Sequence, residues 1–541
     1  MTMNRKKIIK YGLVFISCAT FLNGCGQSEE KGTAVQEEAA SEVTQVENVQ
    51  SAEKIYKDAT QILLSDDGVT VDGKGATTED TAAVYTANDI IYYEDGTDFT
   101  YGEGTEADMH ASKEADAHTV VHITEPGNYL ISGTLSAGQI AVDLGEDAEE
   151  DPEAVVTLIL NNVDIRCSVA PAVIFYEVYE CGSTDEEQAS KNVDTTGAGA
   201  NVIIADGSEN YICGSYVAKI YESCELSEDG TEVVDSKKLH KYDGAFYSKM
   251  SMNVDGGSQG TGVLNISAEN EGLDSELHLT INGGNINITS GNDGINTNED
   301  GISVTTINGG NLNIVVDGAT GEGDGIDSNG WLVINGGTVT AAACASSADA
   351  GIDSDMGIHI NGGTVVATGN MLDAISESDQ NYLVLSFSTR QTGGSTYSLK
   401  DESGAVIGEY TPENDFTYLL VSDESLTEGT CSLWMGETQL AGAASEGTMG
   451  GPGMGGMPQG EAPEGMERPE REEIPEGMER PERGEAPEGT EVPEGGEVPE
   501  KMGRPGKAQG DNAENTEVST EFVITANGNY YNNVSAADEN E

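Results

Sequence analysis

Eight residues recur in a pattern that could hold a metal ion. Glu271 and Asp274 stand in E-G-L-D-S at 271–275, and Asp293 and Asn296 in D-G-I-N-T at 293–297. Asp324 and Asp327 stand in D-G-I-D-S at 324–328, Asp353 in A-G-I-D-S at 350–354, and Asp373 in a worn copy, D-A-I-S-E, at 373–377. If the apolar residue of each copy points inward on a strand, the acid after it points outward. Stacked copies then form two files. One holds Asp274, Asn296, Asp327 and Asp353; the other holds Glu271, Asp293, Asp324 and Asp373. Carboxylates one strand spacing apart repel by about 1 kcal/mol per pair even in high dielectric. Calcium takes about six to eight oxygen ligands in irregular geometry and would relieve that repulsion. A solvated acidic stripe is the alternative. The files carry no His or Cys, so a transition metal is not expected there.

The elements that must position these acids form a repeat. I-N-G-G begins at Ile281, Ile307, Ile334 and Ile360, steps of 26, 27 and 26 residues. A fixed period in the twenties marks a solenoid. After each I-N-G-G the chain alternates, as in Asn285-Ile286-Asn287-Ile288 and Asn311-Leu312-Asn313-Ile314, which predicts strands with one buried face. Short strands separated by Gly and Asp-Gly turns leave no room for crossover helices. A repeat of this length fits one coil of a parallel β-helix, and the leucine pattern of leucine-rich repeats is absent. Ile281, Ile307, Ile334 and Ile360 should stack inside, and Asn282, Asn308, Asn335 and Asn361 should form an amide ladder at one corner.

These coils, with I-T-E-P-G-N-Y-L-I-S-G-T-L-S at 123–136, L-N-N-V-D-I at 160–165 and D-G-A-F-Y-S-K at 243–249, resemble a known family. It is that of the clostridial carbohydrate-binding domain-containing lipoproteins, parallel β-helix proteins similar in fold to pectate lyases. The resemblance covers most of 59–442. It implies an all-β, right-handed parallel β-helix, here placed at 52–381. It also implies binding of plant-type or acidic (uronate) polysaccharide with bound calcium.

The chain opens with Arg5, Lys6, Lys7 and Lys10 before an apolar run at 13–22, a secretory signal too short to remain as a membrane helix. It ends in L-N-G-C at 22–25, which resembles a bacterial lipobox. Lipidated Cys25 would anchor the mature chain to the outer face of a membrane, with 26–51 as a flexible acidic tether. The net charge of −71 excludes nucleic acid as a partner, and repels acidic polymers unless a cation intervenes. Cys167 with Cys181, and Cys213 with Cys224, are near enough in sequence to bridge in an oxidising exterior; free buried thiols are the alternative.

The coils are interrupted by insertions near 77–116, 146–153, 183–199 and 225–238. His110, His118 and His122 close the first and read as surface histidines rather than a zinc site. After residue 381 the period is lost. Turn-separated strands predict a small antiparallel β cap at 382–442, closing the open end of the solenoid. Residues 443–521 repeat E-x-P-E-G-M-E-R-P-E-R and decay, a Pro/Glu/Gly composition that cannot build a core. Phe522-Val523-Ile524-Thr525 and Tyr530-Tyr531 mark one last strand in 522–541, able to return to the cap.

A lyase of this fold would need a base, yet no Lys or Arg occurs between Met250 and Thr389, and His278 and His359 fall in different columns. A non-catalytic role is therefore expected, with a lyase or paired-acid hydrolase as one alternative and a protein-binding surface adhesin as another. Trp331 precedes Leu332 and Ile334, which face inward, so it and Val333 should point outward. Trp331 then offers a platform for a sugar ring, unless an insertion covers it.

Overall fold

The computed structural model describes residues 56–227, 229–445, 518–526 and 528–537. The signal segment, Cys25 and the tether lie outside the described residues, as does 446–517. The described chain is all-β, and most of its strands belong to large sheets built from parallel neighbours.

Three sets of parallel strands recur with the repeat, although the copy at 350–354 joins the third only through a single bridge. The first takes His278–Ile281, Val304–Ile307, Trp331–Ile334 and Gly357–Ile360. Its register sets Ile281, Ile307, Ile334 and Ile360 in one row, all fully buried. Each such side chain taken out of water contributes about 1.5–3 kcal/mol. The second ladder takes Val263–Ala268, Asn285–Ser290, Asn311–Val316, Thr338–Ala342 and Thr364–Gly369. Here the alternation turns Ile286, Leu312 and Val339 inward. The third carries the acid motifs: Gly244–Ser248, Glu271–Ser275, Ile295–Thr297 and Ile326–Ser328.

The second glycine of each I-N-G-G makes the corner between the first two ladders. Gly284, Gly310, Gly337 and Gly363 have φ of 100°, 91°, 83° and 86°. A Cβ on Gly310 would lie 2.7 Å from the Gly284 carbonyl oxygen one repeat away, so the stacking as well as the turn requires glycine. Beside this corner Asn308 donates to Asn282, Asn335 to Asn308 and Asn361 to Asn335, at 2.9, 2.8 and 2.7 Å.

Three features differ from the sequence reading. The worn copy at 373–377 does not extend the third ladder: Ile375 pairs with Ile358 and Glu377 with His359, so its strand joins the first. With Ala at 374 in place of Gly, the tight approach that Gly272, Gly294 and Gly325 make to the next repeat is lost. The excursion expected at 225–238 is a longer antiparallel arm, Val217–Leu226 against Val233–Tyr242. The arm bonds to the 77–116 insertion, with Glu103 N donating to Lys219 O at 2.8 Å and Tyr221 N to Tyr101 O at 2.8 Å. Finally, the cap runs on to Ser445, past the expected bound at 442, and the C-terminal strand, read as able to return to the cap, pairs within it. Phe416–Ser422 pairs antiparallel with the last strand of the second ladder, Thr364–Gly369. Gly528–Ala536 lies between Tyr382–Gln391 and Thr438–Ser445. Phe522, Tyr531 and Val534 are buried in a core separate from that of the coils, with Leu385, Phe416 and Leu433.

Candidate functional site

Strand register in the third ladder sets Tyr247, Asp274, Asn296 and Asp327 side by side. The bridge between Ile326 and Ile352 brings Asp353 next in line. In the other file, Gly272 N donates to Asp293 O and Gly294 N to Asp324 O, but Gly325 N donates to Ala350 O. Ala350 therefore takes the place after Asp324. Asp373, displaced with its strand, still lies near enough to Asp353 to raise its pKa.

The acids divide into two groups. At the C-terminal end, Asp324, Asp327 and Asp353 each offer a carboxylate oxygen, and these lie within 4.8 Å of one another. Among the described residues none of the three has a basic ion-pair partner. All three are half-buried. Burial first, and then the neighbouring charges, push Asp324 to about 9 and Asp327 and Asp353 to about 7. Burial also raises Asp293, whose Oδ1 accepts from Asp324 N at 2.7 Å. Asp324 Oδ1 in turn accepts from Ala350 N at 2.5 Å.

At the other end Glu271 and Asp274 are 5% and 0% exposed. Burial raises both well above the carboxylate range, and their mutual repulsion adds to the Glu271 shift. The base of the arm supplies a cation here: Lys241 Nζ lies 2.6 Å from Asp243 Oδ2, beside them. Asn298 Nδ2 donates to Asp274 Oδ1 at 2.8 Å. Glu271 Oε2, Asp274 Oδ2 and Asn296 Oδ1 are buried, and none of the three has a hydrogen-bond partner by distance and angle among the described residues. The clustered carboxylates of Asp324, Asp327 and Asp353 are an all-oxygen donor set that fits a hard cation such as calcium, and the orphaned oxygens of the other group are of the same chemical type.

Other candidates sit elsewhere. Trp331 lies in the column His278, Val304, Trp331, Gly357 and is half-buried, while Val333 is 6% exposed. His278 is buried; its Nδ1 accepts from Val304 N at 3.1 Å, and burial lowers it to about 4, so it is a neutral structural acceptor. His359 Nδ1 meets Lys191 Nζ at 3.1 Å, and Lys191 also pairs with Glu377 at 2.6 Å. His110, His118 and His122 bond separately to Glu114, to Glu114 O and to Asp89, and His118, read as a surface residue, is buried beneath the first insertion. All six described cysteines are free. Of the two alternatives this is the free-thiol one, and the fold sets Cys167 beside Cys213 rather than Cys181, with Cys167 N bonded to Cys213 O at 2.9 Å. The arm carries Cys224 away to face Thr100 O.

Two clefts were not visible in the sequence. One, of about 650 Å³, lies between the first insertion, the arm and the third ladder, and is lined by Tyr176, Tyr242 and Tyr247 among charged residues. The other, of about 460 Å³, lies between the segment 191–196 and the asparagine corner. Only Tyr247 had a sequence signal: it follows inward Phe246 in D-G-A-F-Y-S-K and so lies on the opposite face of its strand, where its neighbours leave it 2% exposed.

Residues 117–405 match the family described as carbohydrate-binding domain-containing protein. A carbohydrate-binding domain-containing protein of Acetivibrio thermocellus is 30% identical over 170 residues, 31% of this chain and 44% of the relative. The match thus spans less than half of that relative's length. A solved polysaccharide lyase-like protein from C. thermocellum, a gadolinium derivative, is 19% identical with a TM-score of 0.32, over 59% of this chain and 93% of that one. With the match over 117–405 taking in more than half of its length, the chain belongs to the carbohydrate-binding domain-containing protein family.

Proposed function

We propose that this is a non-catalytic polysaccharide-binding protein of the cell surface, anchored through lipid on Cys25, that holds uronate glycans through calcium. The three ladders are read as the faces of one right-handed parallel β-helix, the hand that parallel crossover connections adopt almost without exception. The observation that carries the functional reading is the group Asp324, Asp327 and Asp353. Three half-buried carboxyl groups within 4.8 Å, without a basic partner among the described residues, repel one another once ionised, and a cation that displaces their protons relieves that repulsion. These three would hold calcium, with Asp293 and Asp373 tuning the charge around them. Bound calcium supplies a positive centre on a face that would otherwise repel a sugar carboxylate. The protein's own part is to hold the oxygens in place through the backbone bonds to Asp293 and Asp324.

Uronate binding measured with calcium, with excess chelator and after calcium is restored tests this. Binding should vanish and return, and Asp324→Asn with Asp327→Asn should abolish it while the fold persists. Undiminished binding in chelator would overturn the bridge. A second reading, a lyase, draws on Lys241, which the arm carries to the acid files from outside the lysine-free stretch. Its ammonium is held by Asp243, so it is not a free base, and the non-catalytic reading is preferred. Release of unsaturated ends from polyuronate would reverse that preference.

A further inference from the structure

We propose that the 650 Å³ cleft is a second glycan subsite, built for uncharged pyranose units and working without a bound cation. It rests on the polysaccharide-binding reading above but not on its calcium bridge.

The walls are aromatic and fixed. Tyr242 meets Tyr176 and Tyr247 edge-on, with ring centres 5.5 and 5.2 Å apart. Tyr242 Oη donates to His240 Nδ1 at 2.6 Å and Tyr247 Oη to Glu276 Oε1 at 2.6 Å. Burial keeps His240 below its ordinary value, so the neutral imidazole is available as that acceptor. Tyr242 and Tyr247 are buried, at 8% and 2% exposure, and hold half-buried Tyr176 in place, so that the Tyr176 ring is the one oriented in advance for the apolar C–H face of a pyranose. The volume lies within the range of about 300–1,000 Å³ usual for ligand sites.

Charge decides which sugar. Residues bearing carboxylates outnumber lysines seven to three around the cleft. Each lysine is already paired: Lys238 with Glu276 at 3.3 Å, Lys241 with Asp243 at 2.6 Å, and Lys249 with Glu177. An anionic sugar finds no free cation there and a net negative wall. A neutral polyol finds fixed acceptors in the carboxylates and fixed donors in the ammonium groups, which is what its hydroxyls need. The roof is equally fixed, since the arm and the first insertion bond to each other. A Cβ on Gly102 at their junction would lie 2.1 Å from Lys219 O, so the two can close only over glycine.

Tyr247 shares a column with Asp274, Asn296 and Asp327. Three strand spacings, about 14 Å, separate the tyrosine from Asp327 in the acid file. A heteropolysaccharide with neutral and uronate units could touch both sites at once, and the second contact would then be intramolecular.

The test is calorimetric titration of the full-length mature protein with cellohexaose, mannohexaose and xylohexaose, and separately with oligogalacturonate, in calcium and in excess chelator. At least one neutral probe should bind equally in both. Tyr242→Ala should weaken it about tenfold or more, Tyr242→Phe by no more than about threefold, and Trp331→Ala not at all. Tyr242→Ala could fail to fold, so Lys238→Trp, a partly exposed position at the cleft, provides a steric block with the same expected loss. No neutral probe binding below the millimolar range would overturn the proposal. So would binding lost in chelator at an unchanged melting temperature, or full affinity in folded Lys238→Trp. Calcium-dependent oligogalacturonate binding without neutral binding would defeat this site and leave the calcium bridge intact; the converse would do the opposite.

Discussion

Removing the charge of Asp327 should stabilise the calcium-free protein, and only at the upper end of the pH range. Its carboxyl has an ordinary value of 3.8 and is held at about 7, through burial first and then the charges of Asp293 and Asp353. The folded state therefore binds this proton more tightly than the unfolded chain does. Below about pH 4 both states are protonated and the group contributes nothing. Between pH 4 and 7 the unfolded chain ionises first, so stability falls as pH rises. Above pH 7 the full cost is present: about 3 units at 1.36 kcal/mol each, or about 4 kcal/mol. Asp353 follows the same course and Asp324 continues it towards pH 9. Asp327→Asn should then gain up to about 4 kcal/mol at pH 8 in chelator, near 5 °C or more in melting temperature, and nothing at pH 4. Calcium should act in the opposite sense. Its ligands must be deprotonated, so the stabilisation it gives the wild type should grow from pH 5 to 8 and be lost in the variant. Scanning calorimetry at half-unit steps, with chelator and with calcium, measures both. A wild-type melting temperature that stays flat or rises with pH in chelator, with Asp327→Asn no more stable at pH 8, would refute the reasoning.

Cys25→Ala should move the protein from the membrane fraction to the medium; retention in the membrane pellet would count against lipidation. Trypsin should cut at Arg471 and Arg483 without shedding the C-terminal segment, because Gly528–Ala536 is paired on both sides within the cap. Co-elution of both fragments from a sizing column checks this. Val534→Ala, in the fully buried cap core, should destabilise by about 2–3 kcal/mol, read as a lower denaturant midpoint. Gly102→Val should part the arm from the first insertion, seen as faster hydrogen exchange at Tyr221 N, while leaving the coils folded.

What could be read from the sequence was whatever repeats. Ile281 and its equivalents, and the asparagine corner, each recur at a fixed step, so alignment alone assigns their row. The same holds for Asp274, Asn296 and Asp327. The reading weakened wherever a residue had no counterpart one period away. Lys241 and Lys191 come from insertions, and only the fold brings them to Asp243 and to His359. The absence of Lys and Arg between 250 and 389 is true of the sequence but not of the coil faces. Tyr176 and Tyr242 belong to no motif and meet Tyr247 only because the arm folds back. Cysteines close in sequence were set apart by strand pairing. A side chain pointing outward was also taken as facing water, yet Asp274 is fully buried and Trp331 half so.

The C-terminal strand gives the acidic, proline-rich segment a topology that its composition does not suggest. Ala443 pairs with Val518 and Gly442 with Ser519, so the intervening stretch leaves and re-enters the cap at adjacent points. The residues on either side of it are thus joined in one ladder although they lie far apart in the chain. Bringing two points so far apart in the chain together costs about 4 kcal/mol of chain entropy, while doubling their separation would add only about 0.6. Insertion or loss of whole E-x-P-E-G units should therefore be nearly neutral for the fold. Its length is thus free to drift, whereas the small residues at Gly442 and Ala443 that let the two ends meet are not.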